Sequence, residues 1–143
     1  MPYSEFTLED INFKKTRVVK ISSCCDKKIF NKVKRIVNKQ INNKDKDIVK
    51  VYSWKPLLSY KGYYKYKYSM DRLLDIEKED RQDICRFTYN RDRDSYNNKK
   101  LFDFLMRADK KGYRDIHDQN IMTDKKGNYK LIDLEGFIHN CYF

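Results

Sequence analysis

The stretch YRDIHDQNIM, residues 113–122, is followed after a short turn by KLIDLEG, residues 130–136. The turn itself, Asp124-Lys125-Lys126-Gly127-Asn128, separates two short apolar runs. A polar turn that contains Asp and Gly between two such runs is typical of a β-hairpin. The sequence therefore predicts a polar loop, a hairpin, and an aspartate, Asp133, where the second strand ends.

These two segments resemble the catalytic core of protein-kinase-like phosphotransferases, whose catalytic loop reads H-R-D-x-x-x-x-N and whose metal-binding strand end reads D-F-G. Asp115 and Asn120 have the family's spacing of five, and the Lys-Leu-Ile run before Asp133 is a familiar approach to the metal-binding aspartate. The form D-x-H-x-x-N, with His117 at its centre, looks closest to the branch that contains aminoglycoside and choline kinases. The resemblance covers most of the chain, but only residues 113–136 carry specific motifs.

The resemblance implies transfer of a phosphoryl group from ATP, with Mg²⁺, to a hydroxyl acceptor. Asp115 would accept or orient the acceptor hydroxyl, and His117 would brace the loop or contact phosphate. Asn120 and Asp133 would bind Mg²⁺ through hard oxygen ligands. Because phosphoryl transfer needs mainly positioning and charge neutralisation, a few polar side chains at fixed intervals suffice.

Upstream of these motifs, the predicted elements follow the family's order. Val18-Val19-Lys20-Ile21 predicts a short strand, and the resemblance implies that Lys20 contacts the nucleotide phosphates. Apolar residues at helical spacing between Ile29 and Ile41 predict a helix. A second β-branched run at Ile48–Tyr52 predicts a strand that is stopped by Pro56.

The resemblance implies an α+β fold of one kinase-like domain, residues 1–143, in a truncated two-lobed arrangement. A small β-rich N-lobe would span about residues 1–70, and a reduced helical C-lobe about residues 71–143. In the second half, the stretch 77–98 predicts a short helix followed by a loop. An apolar stripe that starts at Leu101 predicts a helix that ends near a capping Gly112.

The clearest period of two in the chain lies at residues 64–70, where Tyr64, Tyr66 and Tyr68 alternate with lysines. This pattern predicts a half-buried strand with its aromatic face inward. In the alternative interpretation, an exposed ladder of tyrosines and lysines stacks on nucleic-acid bases.

The sequence also departs from the family. All four glycines follow Lys20, so no Gly-rich phosphate loop precedes that lysine. The helix predicted after Lys20 contains no glutamate that could pair with it, and Asp26 is the nearest acid.

Further departures lie in the motifs and after them. Tyr113 stands where the motif has histidine, Leu134 replaces the phenylalanine of D-F-G, and Glu135 precedes Gly136. Only seven residues follow Gly136, so we expect no activation segment and no helical platform for peptide substrates. A kinase of this kind would use a small or unusual acceptor, recruit its substrate by charge, modify itself, or not catalyse.

The chain has 143 residues and a formal net charge of +11, which favours polyanions such as nucleic acid, nucleotides or acidic protein surfaces. The equally open alternative is that its many Lys, Asn, Ile and Tyr residues reflect an AT-rich genome, as many viruses and phages have. The sequence contains no apolar run long enough for a membrane helix and no signal-peptide pattern at its start. We therefore expect a cytoplasmic protein without a membrane partner, in the host cytoplasm if it is viral.

Cysteine usage points to a reducing compartment. None of the four cysteines forms a C-x-x-C pair, and only His117 and His139 could join them in a metal site, so we expect no zinc cluster. We expect the four to be reduced, buried side chains: Cys24, Cys25, Cys85 and Cys141.

Three functions fit these features. The first is a minimal ATP- and Mg²⁺-dependent phosphotransferase whose acceptor is unknown. The second is a kinase-fold interaction protein, catalytically weak or inactive, that binds a protein or nucleic-acid partner through its basic surface. The third is a nucleic-acid-binding domain that uses the tyrosines and lysines of residues 63–68.

Overall fold

The computed structural model describes residues 6–138, which form an α+β fold, as the sequence predicts. The fold has two antiparallel sheets and three α-helices. The large sheet has four strands in the order β1-β2-β4-β3: β1 (Phe6–Phe13), β2 (Arg17–Cys24), β3 (Val51–Pro56) and β4 (Tyr64–Asp71). The small sheet pairs two strands, β5 (Ile121–Thr123) and β6 (Tyr129–Leu131). The helices are α1 (Lys27–Asn43), α2 (Lys78–Arg86) and α3 (Lys99–Lys110).

The alternating tyrosines and lysines form β4, a central strand of the large sheet. Tyr66 and Tyr68 are buried, whereas Lys65 and Lys67 on the opposite face are partly exposed. A buried ring cannot stack on a base, so the prediction of a base-stacking ladder that includes Tyr66 is wrong. The half-buried strand is confirmed.

Helix α1 packs one face against the large sheet through Val33 and Val37, which are fully buried. Asp26 begins the helix, because its carboxylate accepts a hydrogen bond of 2.7 Å from the Lys28 N–H. Lys44 ends it in a left-handed conformation, and its N–H donates to the Gln40 carbonyl. Asp26 is therefore a helix cap and not the partner of Lys20.

The small sheet is fixed at both edges to segments that flank β3 and β4. At the β5 edge, Leu74 and Thr123 exchange two backbone hydrogen bonds, of 2.8 and 3.0 Å. At the β6 edge, the Val49 N–H donates to the Leu131 carbonyl at 2.9 Å, and the Leu131 N–H donates to the Asp47 carbonyl at 2.8 Å. These bonds hold the hairpin, and the residues that follow it, against the large sheet.

Two strands differ from the sequence prediction. Strand β1 is not predicted, because a β-bulge between Leu8 and Asp10 puts the apolar pair Phe6 and Leu8 out of phase with the pair Ile11 and Phe13. Strand β3 begins at Val51 and includes Pro56, which was expected to stop it. Proline fits there because β3 lies at an edge of the sheet. Ile48 lies outside β3 and forms a separate parallel bridge with Leu131.

The prediction of buried cysteines holds for Cys24 but is wrong for Cys25 and Cys85, which are exposed; all three are free thiols. Successive residues of an extended chain face opposite sides, so the neighbours Cys24 and Cys25 cannot both point inward. Cys141 and His139 lie outside the described residues. Among residues 6–138, no helix has the length and apolar character needed to span a bilayer.

Candidate active site

The loop between α3 and β5 brings together Asp115, His117 and Asn120. The Asn120 Nδ2 donates to the Asp115 carbonyl oxygen at 2.9 Å and to the Asp115 Oδ2 at 3.1 Å. The His117 Nε2 lies 3.5 Å from the Asp115 Oδ1, and the His117 Nδ1 accepts from the Gln119 N–H at 3.1 Å. Because the amide nitrogen of Asn120 faces Asp115, its amide oxygen points away from that carboxylate.

Asp133 follows β6 and lies beside this loop, because the neighbouring Ile132 N–H donates to the Asn120 carbonyl at 3.0 Å. The Lys20 Nζ, from β2, lies 3.2 Å from the Asp133 Oδ1, although 113 residues separate the two. The structure thus brings all five predicted site residues into one region, where β2, the polar loop and the end of β6 meet.

Glu135 is a third acidic group in this region, and it is not among the predicted site residues. The Lys20 Nζ lies 3.1 Å from the Glu135 Oε1, which also accepts from the Tyr68 hydroxyl at 2.5 Å. The Tyr66 hydroxyl donates to the Glu135 Oε2 at 2.7 Å. The Glu135 side chain is only 2 % exposed, so these bonds replace the water that a buried carboxylate loses.

The cluster holds one ammonium and two carboxylates. Burial and the neighbouring Glu135 carboxylate raise the pKa of Asp133, against the attraction of Lys20. Burial alone would raise the pKa of Glu135 as well, but Lys20 and the hydrogen bonds to Glu135 outweigh it and lower that pKa. The two carboxylates in turn raise the pKa of Lys20 against its own burial. One carboxylate is thus in excess of the ammonium, and a cation at Asp133 would be stabilised.

Tyr113 holds the turn after β6 in contact with the loop between α3 and β5. Its hydroxyl donates to the Asp133 carbonyl at 2.7 Å, and the next residue, Arg114, donates its N–H to the Gly136 carbonyl at 2.9 Å. A Cβ on Gly136 would lie 2.3 Å from the Tyr113 Cζ. Glycine is therefore required at position 136 by the packing of the tyrosine ring.

An apolar slot of about 580 Å³ opens beside the charged cluster. Val18 and Met70 face each other across β2 and β4 and line it, together with Ile132, the residue before Asp133. Lys20 lies two residues beyond Val18 on the same face of β2, about 6.8 Å along the strand. The segment that leaves β4, residues 71–75, forms one edge of the slot. The slot is therefore lined by near neighbours of the charged cluster, although Lys20 and Asp133 are not among the residues that line it.

The sequence prediction misses Glu135 because the acidic partner of Lys20 was expected in the helix that follows β2, which is α1. The available signal is an acidic residue two positions after Asp133, combined with tyrosines on a strand predicted to be half buried. In the large sheet, Tyr68 lies opposite Lys20 and Tyr66 lies opposite Ser22, so both hydroxyls can reach the same buried carboxylate.

The donor set of the site can be compared with the needs of Mg²⁺. Within residues 6–138, no group of three or more His, Cys, Asp or Glu side chains is arranged to hold a metal ion. In nucleotide sites Mg²⁺ takes one or two carboxylates and completes its shell with phosphate oxygens and water. The Asp133 carboxylate and the amide oxygen of Asn120 are donors of this kind, beside a cluster with an excess carboxylate.

No protein-family model matches the chain, and no curated protein matches it either. The function is therefore inferred from the contacts of the site.

Proposed function

We propose that this protein is a small ATP- and Mg²⁺-dependent phosphotransferase with a kinase-like, two-lobed arrangement. The N-lobe would comprise about residues 1–70 and the C-lobe about residues 71–143, with the nucleotide between them. The observation that carries the proposal is the 3.2 Å contact between Lys20 and Asp133, next to the hydrogen-bonded pair Asp115 and Asn120.

The apolar slot would receive the base of the nucleotide. Its lining includes aliphatic and thioether side chains and the Phe13 ring. At the edge formed by residues 71–75, the N–H groups of Asp71, Arg72 and Leu74 already donate to backbone carbonyls, so apolar contact would provide most of the binding of a base. Since Val18 and Ile132, which line the slot, are close in the chain to Lys20 and Asp133, a base in the slot would place its phosphates toward the ammonium.

The polar loop would act on the acceptor. The Asp115 carboxylate, held by Asn120, would take the proton of the acceptor hydroxyl as its oxygen bonds to the γ-phosphorus and the bond to ADP breaks. His117, beside Asp115, would keep that carboxylate in place. Asn120 and Asp133 would hold Mg²⁺, which neutralises phosphate charge when bound.

Thermal unfolding with nucleotide tests the binding step. Mg-ATP at 100 times its dissociation constant is expected to raise the melting temperature by about 5–10 °C, and EDTA to remove most of that shift. Lys20→Met and Asp133→Asn are expected to abolish it, whereas Lys67→Met, on the opposite face of the sheet, retains it.

Transfer of label from γ-labelled ATP, to the protein itself or to a lysate, tests the chemistry. Asp115→Asn is expected to lower transfer by about 100-fold or more while the Mg-ATP melting shift remains. Asp118→Asn is the matched control, because Asp118 lies in the same loop and pairs with Arg81 at 3.5 Å. Equal transfer by wild type and Asp115→Asn contradicts the proposal.

The second candidate is a kinase-fold interaction protein that binds a protein or nucleic-acid partner. It is favoured by one observation: two carboxylates already neutralise the Lys20 ammonium, which leaves it less able to bind phosphates. Absence of any melting shift at millimolar Mg-ATP selects this function over phosphotransfer.

A further inference from the structure

The net positive charge of the chain is concentrated in its first half. Residues 1–71 contain seventeen Lys and Arg against seven Asp and Glu, whereas residues 72–143 contain fifteen against fourteen. The number of cations is nearly the same in the two halves, so the difference in net charge comes from the smaller number of acidic residues in the first half. That half therefore carries ten of the eleven excess positive charges.

The exposed face of α1 is the most uniform part of the surface of this half. Nine residues of the helix are exposed, and every one is Lys, Arg or Asn: Lys27, Lys28, Asn31, Lys32, Lys34, Arg35, Lys39, Asn42 and Asn43. None of the six cations forms an ion pair with an acidic group of residues 6–138. We call these nine residues the basic face of α1.

Four of the cations form a straight row. Lys28, Lys32, Arg35 and Lys39 follow each other at steps of four, three and four residues, which places them on one side of a helix. At 1.5 Å per residue the row is about 16 Å long. Asp26, whose carboxylate caps the helix, lies at one end of this row, and the regularly spaced cations beyond it are complementary to a linear polyanion.

We propose that the basic face of α1 binds the phosphodiester backbone of a nucleic acid. Lys, Arg and Asn side chains are common phosphate ligands, and nucleic-acid interfaces are more polar and more positive than protein interfaces. An acidic protein partner would need apolar anchors at the centre of its contact, whereas the nine residues of the basic face are all polar; the apolar residues Ile29, Ile36, Phe137 and Ile138 line the groove at its edge. The proposal concerns a different surface from the apolar slot and does not depend on phosphotransfer.

The row of cations also borders the candidate catalytic loop. Lys28, Lys32 and Arg35 line a groove of about 490 Å³ that is lined as well by Arg114, the residue before Asp115. A nucleic acid bound along α1 would therefore lie next to the polar loop.

Binding of a 24-base-pair DNA duplex and a 24-nucleotide RNA single strand at several salt concentrations tests the proposal. Wild type is expected to bind at least one of them, with an affinity that falls steeply as salt rises. Replacing Lys28, Lys32, Arg35 and Lys39 together with Gln is expected to lower affinity at least tenfold. For the duplex, the slope of log affinity against log salt is expected to decrease by about 3–4, since each phosphate contact contributes about 0.9.

The matched control replaces four exposed lysines of the second half with Gln: Lys78, Lys110, Lys125 and Lys126. It removes the same charge and is expected to change affinity by less than about threefold if charge on α1 is what matters. Gln has nearly the helix propensity of Lys, and circular dichroism verifies that both variants fold. Three results overturn the proposal: equal loss in both variants, no wild-type binding at 50 mM salt, or displacement by polyglutamate as effective as by nucleic acid.

Discussion

The two sides of the candidate site are built differently. Lys20, Asp133 and Glu135 form a closed cluster in which the side chains are 14 %, 21 % and 2 % exposed and bind one another. On the other side, His117 is 41 % exposed; Asp115, at 20 %, is no more exposed than Asp133, and its hydrogen bond from Asn120 is made within one loop. The closed side therefore contributes to folding as well as to any function, whereas the open side can meet a partner molecule at little cost to stability.

Glu135→Ala should produce the largest effect on the closed side. The substitution leaves the buried hydroxyls of Tyr66 and Tyr68 without their acceptor, at a cost of about 1–3 kcal/mol each, whereas Lys20 keeps its contact with Asp133. Asp115→Asn on the open side is expected to cost about 1 kcal/mol or less, since Asn120 keeps its bond to the Asp115 carbonyl. Urea unfolding of both variants measures the loss in free energy of unfolding. Equal losses would show that the two sides of the site contribute equally to stability.

Gly136→Ala should have the next largest effect. The added Cβ would lie 2.3 Å from the Tyr113 ring, and overpacking of a buried contact costs about 1–3 kcal/mol. The double variant Gly136→Ala with Tyr113→Ala is expected to be less unstable than the sum of the two single variants, because the clash disappears when the ring is removed. If the losses in free energy of unfolding are additive in this cycle, the Tyr113 ring is not the reason that position 136 requires glycine.

The open side could be predicted from the sequence and the closed side only in part. The polar loop and its hairpin are local: the five-residue spacing of Asp115 and Asn120 and the turn before Tyr129 can be read within one short segment. The burial of Tyr66 and Tyr68 is likewise local, since a period of two is enough to predict one inward face of a strand.

The partner of Lys20 could not be predicted, for a physical reason. Glu135 lies 115 residues from Lys20, and their contact depends on how the small sheet is fixed to the large one. No local sequence pattern encodes that packing. The acidic partner of Lys20 was expected in α1, which contains no glutamate, and not in the segment after β6. Strand β1 was missed because the β-bulge between Leu8 and Asp10 interrupts its alternation of apolar and polar residues.

Tyr113→Phe should have a smaller effect, because it removes one hydrogen bond and keeps the ring over Gly136. Loss of the 2.7 Å bond to the Asp133 carbonyl is expected to cost about 0.5–1.5 kcal/mol, measured by urea unfolding. If Asp133 is a ligand site, the variant should also weaken the Mg-ATP melting shift, since the bond positions the backbone of that residue. A variant as stable as wild type and with the same shift would show that packing alone holds this turn.

The smallest effect is expected from the titration of His117 on the open side. The hydrogen bond to Asp115 raises the pKa of His117 against its partial burial. A raised pKa means that the folded protein binds the proton more tightly, so this contribution to stability is present below about pH 6.5 and is lost as pH rises through the folded pKa.

NMR titration of the imidazole signals, assigned with His117→Gln, measures the pKa of His117, and Asp115→Asn is expected to return that pKa toward its ordinary value. A pKa unchanged by Asp115→Asn would show that the two side chains do not interact in solution, and the proposed role of His117 in holding Asp115 would fail.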